Sequence, residues 1–244
     1  MRAWDSSVKF KTTDAEYLDR RKPLSEKYGT RELWSIIDHW PLYCGIGNLS
    51  RFLAIADLVH QSLEVPGHIA EFGCWRGANL VFMAKLLRIY DPLGSKIVYG
   101  FDSFEGLQTF VPQDGQAEGA TRGEYKGSLE ELTDMIALCD LEEEISIYKG
   151  WIDETLPALL RAHDELSFSL VYIDVDLFAP TKTILEQCHA RLSPGGFVVF
   201  DEWNYEKFPG ESVAVREFLE AHRGEYAARH VKHARQPSMY LRKI

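Results

Sequence analysis

Long apolar runs are missing from this 244-residue sequence, and none approaches the roughly 18 residues needed to cross a bilayer. The N-terminal stretch MRAWDSSVKFKTTDAEYLDRRK also lacks the apolar core of a secretory leader, so a cytoplasmic protein is expected. Positive charge is scarce. Lysine plus arginine number 27 against 37 acidic residues, a net charge of −10, which argues against a nucleic-acid partner gripped by bulk electrostatics. Cysteine is sparse as well: Cys44, Cys74, Cys139 and Cys188 lie far apart and form no CxxC. They read as buried thiols, with neither a disulfide frame nor a zinc site.

What remains is a chain with 45% apolar residues, enough for one well-cored domain and a small appendage. Residues 1–30 are polar and irregular, carry RRK at Arg20 to Lys22, and meet a breaker at Pro23, so they are expected to form an arm or lid. From Thr30 on, Leu33, Ile36, Ile37 and Trp40, then Leu49, Phe52, Leu53, Ala56 and Val59, recur at helical spacing and predict two helices. The division expected is 1–62 for the arm and helices, serving as lid or oligomer contact, and 63–244 for the main domain.

In that domain HIAEFG predicts a strand, Ala78 to Tyr90 a helix and KIVYGFDS a strand ending near Asp102. The stretch from Gln108 to Lys126 is rich in Gly, Gln and acid, which predicts a mobile active-site loop. Alternation then continues with a helix over Leu129 to Ala137, strand ISIYKG, a helix over Glu154 to Ala162 and strand FSLVYIDV. A helix over Thr181 to Arg191, strand GGFVVFDE, a helix over Val213 to His222 and an edge strand in SMYLRK complete it. Strands apolar on both faces, such as SLVYI and GFVVF, belong to a parallel sheet covered by helices on both sides. The fold class expected is therefore α/β, a doubly wound, mostly parallel, Rossmann-like sheet.

Ligands of such sheets sit beyond the carboxyl ends of the strands, at the switch point. Gly73 and Gly77 occupy the turn after the first strand, but a GxGxxG fingerprint is absent, and the strand-end acid, Asp102, comes 29 residues after Gly73. No cluster of turn amides is supplied for a pyrophosphate. A ligand with a ribose and no phosphate fits better, and S-adenosylmethionine is one. Glu71 would then hold the methionine amino group or orient the turn, and Asp102 would accept both ribose hydroxyls. Taken alone, Glu71 reads equally as a solvated strand-end acid and Asp102 as a cap on the following turn.

EFGCWRGAN preceded by VPGHI, then YGFDSFEGL, YKGWIDETLP and YIDVDLFAPTKTILEQCHARLSPGGFVVFDEW, resemble in order the macrocin O-methyltransferase family, over about Leu42 to Phe218. The resemblance implies a class I methyltransferase sheet, an S-adenosylmethionine cofactor and a sugar hydroxyl of a natural product as acceptor. It also implies a divalent-metal site similar to that of catechol O-methyltransferase, and a homo-oligomer. Cofactor contacts are expected from Glu71, Gly73, Gly77, Asp102, Ser103, Gly150, Trp151 and Asp174; Trp151 reads equally as a core aromatic.

YIDVD sets Asp174 and Asp176 at one strand end and FDE sets Asp201 and Glu202 at the next, with room between them for one helical crossover. Hard oxygen donors from two neighbouring strand ends suit Mg²⁺ or Ca²⁺ better than zinc. The family pattern maps its metal acids onto Asp174, Asp201 and the next residue, where Glu202 stands in place of Asp or Asn. The metal expected is Mg²⁺. Asp176 is the candidate catalytic base and Glu202 the second, because Leu177 stands where catechol O-methyltransferase supplies a lysine. The bland alternative is four solvent-facing acids in an acidic protein.

His230 and His233 form HxxH, but a spacing of three on a strand-like tail places them on opposite faces and argues against a metal. Trp203, Asn204, Tyr205 and Arg216 read as packing or surface, and the RRK cluster as a solvated charge run. Two rival readings stay open: a nicotinamide-dependent oxidoreductase, and a cofactor-binding protein without turnover.

Overall fold

In the computed structural model, which describes residues 11–29, 33–115 and 120–244, seven strands form one sheet in the order β3-β2-β1-β4-β5-β7-β6. The strands are β1 (His68–Phe72), β2 (Val98–Asp102), β3 (Ile145–Lys149), β4 (Phe168–Ile173), β5 (Leu192–Phe200), β6 (Tyr226–His230) and β7 (Met239–Lys243). Strands β1 to β5 pair in parallel and β7 pairs antiparallel with both β5 and β6. The order reverses between β1 and β4, which opens the crevice where ligands of this architecture bind.

The helices are α1 (Lys11–Tyr28), α2 (Trp34–Asp38), α3 (Trp40–Tyr43), α4 (Ile46–Ser62), α5 (Ala78–Tyr90), α6 (Leu129–Leu138), α7 (Ile152–Ala162), α8 (Phe178–Cys188) and α9 (Pro209–Ala221). Two apolar layers cover the sheet. Ile55, Leu58 and Val59 of α4 and Leu80, Met83 and Leu87 of α5 cover one face; Leu156, Ile184, Val215 and Phe218 of α7, α8 and α9 cover the other. The middle strand β4 is buried along its whole length, as its unbroken apolar run requires.

Several expectations differ from the structure. The segment read as irregular is helix α1, which continues through Pro23; a proline inside a helix costs about 3 kcal/mol. Ion pairs oppose that cost: Lys27 Nζ lies 2.8 Å from Glu130 and 2.5 Å from Asp134, both on α6, and Tyr28 donates to Asp134 at 2.7 Å. The RRK run is used in the same way, with Arg21 2.8 Å from Asp38 and Arg20 3.4 Å from Asp140. The predicted helix from Thr30 is two short helices, α2 and α3, and Thr30 itself lies outside the described residues.

SMYLRK is not an edge strand: β7 is inserted between β5 and β6, and β6 forms the edge. Only Tyr226 of β6 is buried, so the strand has no apolar alternation to announce it. The stretch from Gln108 to Lys126 is anchored where it is described. Asp114, 2% exposed, accepts from the backbone N–H of Val111 at 2.8 Å and of Phe178 at 2.7 Å, which ties the loop to the start of α8. Leu107, Leu177 and Phe208 pack together with Phe110 beside them. Residues 116–119 lie outside the described residues. No described helix is long and apolar enough to cross a membrane.

Candidate active site

Beyond the carboxyl ends of β1, β2, β4 and β5 lies a cavity of about 840 Å³, within the range of small-molecule sites. Gly73, Asp102, Ser103, Gly150, Trp151, Asp174, Asp176, Asp201 and Glu202 all line it, so residues up to 129 positions apart in the sequence meet at one place. Glu71 and Gly77 lie outside that lining. Gly77, at φ 79°, leaves the space that Leu132 fills: a Cβ there would stand 2.2 Å from the Leu132 Cδ1. Glu71 is 1% exposed, beneath the cavity floor beside Asn79 and Cys74.

The turns around the cavity are held in unusual backbone conformations. Trp75 (φ 48°), Phe104 (φ 56°), Asp176 (φ 63°) and Asn204 (φ 57°) are left-handed without being glycine, each at a cost of the order of 1 kcal/mol or more. Asp102 explains two of them. Its Oδ2 accepts from the Trp75 N–H at 2.7 Å and its Oδ1 from the Phe104 N–H at 2.6 Å. The turn-capping role and the ligand-facing position therefore coexist in one carboxylate, since each oxygen keeps a second lone pair.

Acids crowd the far side of the cavity. Oxygens of Asp174, Asp201 and Glu202 lie within 4.8 Å of one another. Asp201 and Glu202 are 3% and 4% exposed. Burial drives the Asp174 and Glu202 carboxyls well above their ordinary range, and the nearby Asp201 adds to both. Burial, then Asp201, pushes Asp176 up to about 7. The Tyr172 hydroxyl donates to Asp201 at 2.5 Å, and Gln236 donates to the Glu202 Oε1 at 3.3 Å.

Two participants lie outside the sequence motifs. Arg51, on α4, reaches over the acids: its Nη1 lies 2.8 Å from an Asp201 oxygen and its Nη2 donates to Asp174 Oδ2 at 2.9 Å. Burial works against its charge, but Tyr172, Asp201 and Asp174 outweigh that and hold it protonated. Glu211, in the first turn of α9, is fully buried, and neither of its carboxylate oxygens has a hydrogen-bond partner. The Glu202 amide is near enough to favour its charge without normal hydrogen-bond geometry. Burial and the neighbouring Asp201, Asp174 and Asp176 drive it well above the usual carboxylate range. Glu202 Oε2 is likewise unpartnered. Buried oxygens are seldom left so; an all-oxygen set with unpartnered members fits a hard divalent cation.

The other three-ligand group among the described residues, His189, His222 and Glu225, serves packing. The two ring centroids lie 3.9 Å apart with the planes tilted by 34°, and His222 Nδ1 lies 3.0 Å from Glu225, which ties the ends of α8 and α9 to β6. His233 of the HxxH pair sits 3.6 Å from Asp57 instead.

Glu71 carries a pH prediction. Burial raises its carboxyl from 4.5 to about 8 in the folded chain, against the pull of Arg51. A raised acid contributes stability that is full below the unfolded value and lost as pH rises toward the folded one. Stability should therefore fall between pH 4.5 and about 8 by about 1.4 kcal/mol per unit for each such group. Glu71→Gln, a neutral mimic of the protonated form, should flatten that slope in urea denaturation series and unfold later than the parent at the alkaline end. An unchanged slope would assign the effect elsewhere.

The sheet order and the acid-lined crevice define a class I methyltransferase architecture. Residues 27–242 match the model of the macrocin-O-methyltransferase (TylF) family, and the chain belongs to that family. It is 29% identical over 168 residues to 8-demethyl-8-(2,3-dimethoxy-alpha-L-rhamnosyl)-tetracenomycin-C 4'-O-methyltransferase of Streptomyces olivaceus, across 66% of this chain. That match spans 60% of the relative's length. It is 26% identical to mycinamicin III 3''-O-methyltransferase of Micromonospora griseorubida, across 86% of this chain and 79% of the relative. Among solved structures, a calicheamicin methyltransferase superposes with a TM-score of 0.78 at 26% identity, across 98% of this chain and 94% of the other.

Proposed function

We propose that this protein transfers a methyl group from S-adenosylmethionine to a hydroxyl of a sugar or sugar-bearing natural product, assisted by a divalent cation, Mg²⁺ by the character of the donor set. One observation carries the reading. The acids at the ends of β4 and β5 and the turns after β1, β2 and β3 line a single cavity, so a cofactor held by the turns would meet an acceptor held at the acids. The relatives' names, which include a rhamnosyl tetracenomycin and a mycinamicin, support the acceptor class.

Asp102, held by the backbone N–H groups of Trp75 and Phe104, would offer its remaining acceptor capacity to the ribose hydroxyls, and Trp151 borders the cavity where an adenine would lie. Asp174, Asp201 and Glu202 would hold the cation, with Glu211 behind them. The cofactor supplies a methyl group on a positively charged sulfur, and the cation supplies Lewis acidity toward the acceptor hydroxyl. The chain itself must align the acceptor oxygen with that methyl and remove one proton. Asp176 suits the proton removal, because it lines the cavity next to the proposed cation ligands and its carboxylate can accept a proton.

The test is a calorimetric titration with S-adenosylmethionine, with NAD as the matched control, followed by methyl transfer to a panel of deoxysugar nucleotides and glycosides with Mg²⁺ and with chelator. Saturable binding of S-adenosylmethionine alone and chelator-sensitive transfer are expected. NAD binding in its place, or transfer indifferent to chelator, would overturn the cofactor and the metal halves respectively.

A further inference from the structure

The acid cluster already holds a cation of the protein's own. Arg51 bridges Asp174 and Asp201 with separate nitrogens at 2.9 and 2.8 Å, and its side chain is 24% exposed at the cavity wall. These are two of the three residues whose oxygens converge within 4.8 Å. An oxygen-ligated divalent ion sits at about 2.0–2.6 Å from its donors. An ion on Asp174 and Asp201 would share these carboxylates with the guanidinium and bring two positive charges close together, so that each weakens the other's hold. The guanidinium and the ion compete for the charge of the pair.

We propose that Arg51 is a built-in countercation that competes with a divalent ion for Asp174 and Asp201, so that α4 carries the gate of the metal site. The inference rests on the reading that Asp174, Asp201 and Glu202 hold such an ion. Its anchoring supports the role. Arg51 lies on the same face of α4 as Ile55 and Leu58, both buried against the sheet, so the helix holds its Cα in place while the long side chain reaches the cavity wall. Asn48 and Phe52 of the same helix also line the cavity. The second cation near these acids, Lys207, binds the Tyr125 hydroxyl at 3.0 Å and reaches neither Asp174 nor Asp201.

The consequence runs opposite to the usual effect of altering a metal site. Removing Arg51 takes away a competitor, so the ion should bind more tightly although the protein has lost a polar contact. The experiment measures Mn²⁺ binding by electron paramagnetic resonance for the parent, Arg51→Met and Arg51→Lys, at slightly alkaline pH, alongside thermal unfolding with and without Mn²⁺. Arg51→Met should bind Mn²⁺ about tenfold tighter or more, the loss of two charge-assisted contacts from the competitor. Without the ion it should unfold earlier than the parent, and Mn²⁺ should raise its unfolding temperature by more than it raises the parent's.

Arg51→Lys, which keeps the charge but cannot fork to two carboxylates, should fall between them. If the methionine variant does not fold, the lysine variant decides by the same sign. A parent that binds Mn²⁺ with a variant that binds it equally or less tightly overturns the gate and leaves the metal reading standing. Absence of binding in every form overturns the metal reading and the gate with it.

Discussion

Asp174→Asn and Asp201→Asn should each lower kcat/KM for methyl transfer by at least about 10³-fold, roughly 4 kcal/mol of transition-state stabilisation. S-adenosylmethionine binding should change far less. Each change replaces a carboxylate with a neutral group of the same shape, so the cavity keeps its outline while the proposed cation loses a charged donor. Stability supplies the control. Burial and Asp201 hold the Asp174 carboxyl well above its ordinary range while its contact with Arg51 favours the folded chain, so the two effects oppose each other and the unfolding midpoint should stay near the parent's. Asp201 accepts from Tyr172 and pairs with Arg51, so its variant should lose some stability as well as turnover. The readouts are turnover at saturating cofactor, Mn²⁺ binding and the urea midpoint. Turnover within a few-fold of the parent in either variant would remove the metal-assisted mechanism.

The acids behind that prediction are legible in the amino-acid sequence, and the reason is local. Those at 174, 176, 201 and 202 follow unbroken apolar runs, and parallel strands send their carboxyl ends to one edge, so convergence follows from sequence pattern plus topology. Helix α5 is legible to the residue, since its periodicity starts after Gly77 and ends at Tyr90. Long-range partners are not. Arg51 is 123 and 150 residues from the acids it pairs with, and no short motif encodes that distance. Yet Arg51 precedes Ile55 and Leu58 by four and seven positions, and Glu211 precedes Ala214, Val215 and Phe218 by three, four and seven. Each is a charged residue within the apolar stripe of its helix. A charge in such a stripe is expensive to bury unless it has a purpose, and that anomaly is the one signal the sequence carries for them. Helix α1 gives no comparable sign, because its support comes from ion pairs to α6 more than 100 residues away. The anchoring of the loop near Asp114 is hidden in the same way, behind one side chain capping a distant helix.

Gly73→Ala should be the most damaging single substitution in the domain, with a loss above about 4 kcal/mol or failure to accumulate folded protein. The sequence suggests a glycine that lets a ligand approach, but the structure gives it another duty. Gly73 has φ 88°, and a Cβ there would stand 1.7 Å from the Asp174 carbonyl oxygen and 2.7 Å from its carbonyl carbon. Those atoms are backbone and cannot rotate aside. The Asp174 N–H donates to the Phe72 carbonyl at 2.8 Å and the Gly73 N–H to the Phe101 carbonyl at 2.9 Å, so three strand ends are tied at this point. A methyl group would have to separate β1 from β4, which is buried throughout, or displace Asp174 from the acid cluster. Gly47→Ala is the matched control. It adds the same methyl in the first turn of α4, where nothing lies within 4 Å and φ is ordinary, and should be neutral or stabilise by up to about 1 kcal/mol. Chemical denaturation of both variants decides the matter. A Gly73 variant as stable as the Gly47 one would mean that the end of β4 yields where its hydrogen bonds say it cannot. A stable variant that binds cofactor but not Mn²⁺ would show that the glycine sets the position of Asp174 more than the fold of the sheet.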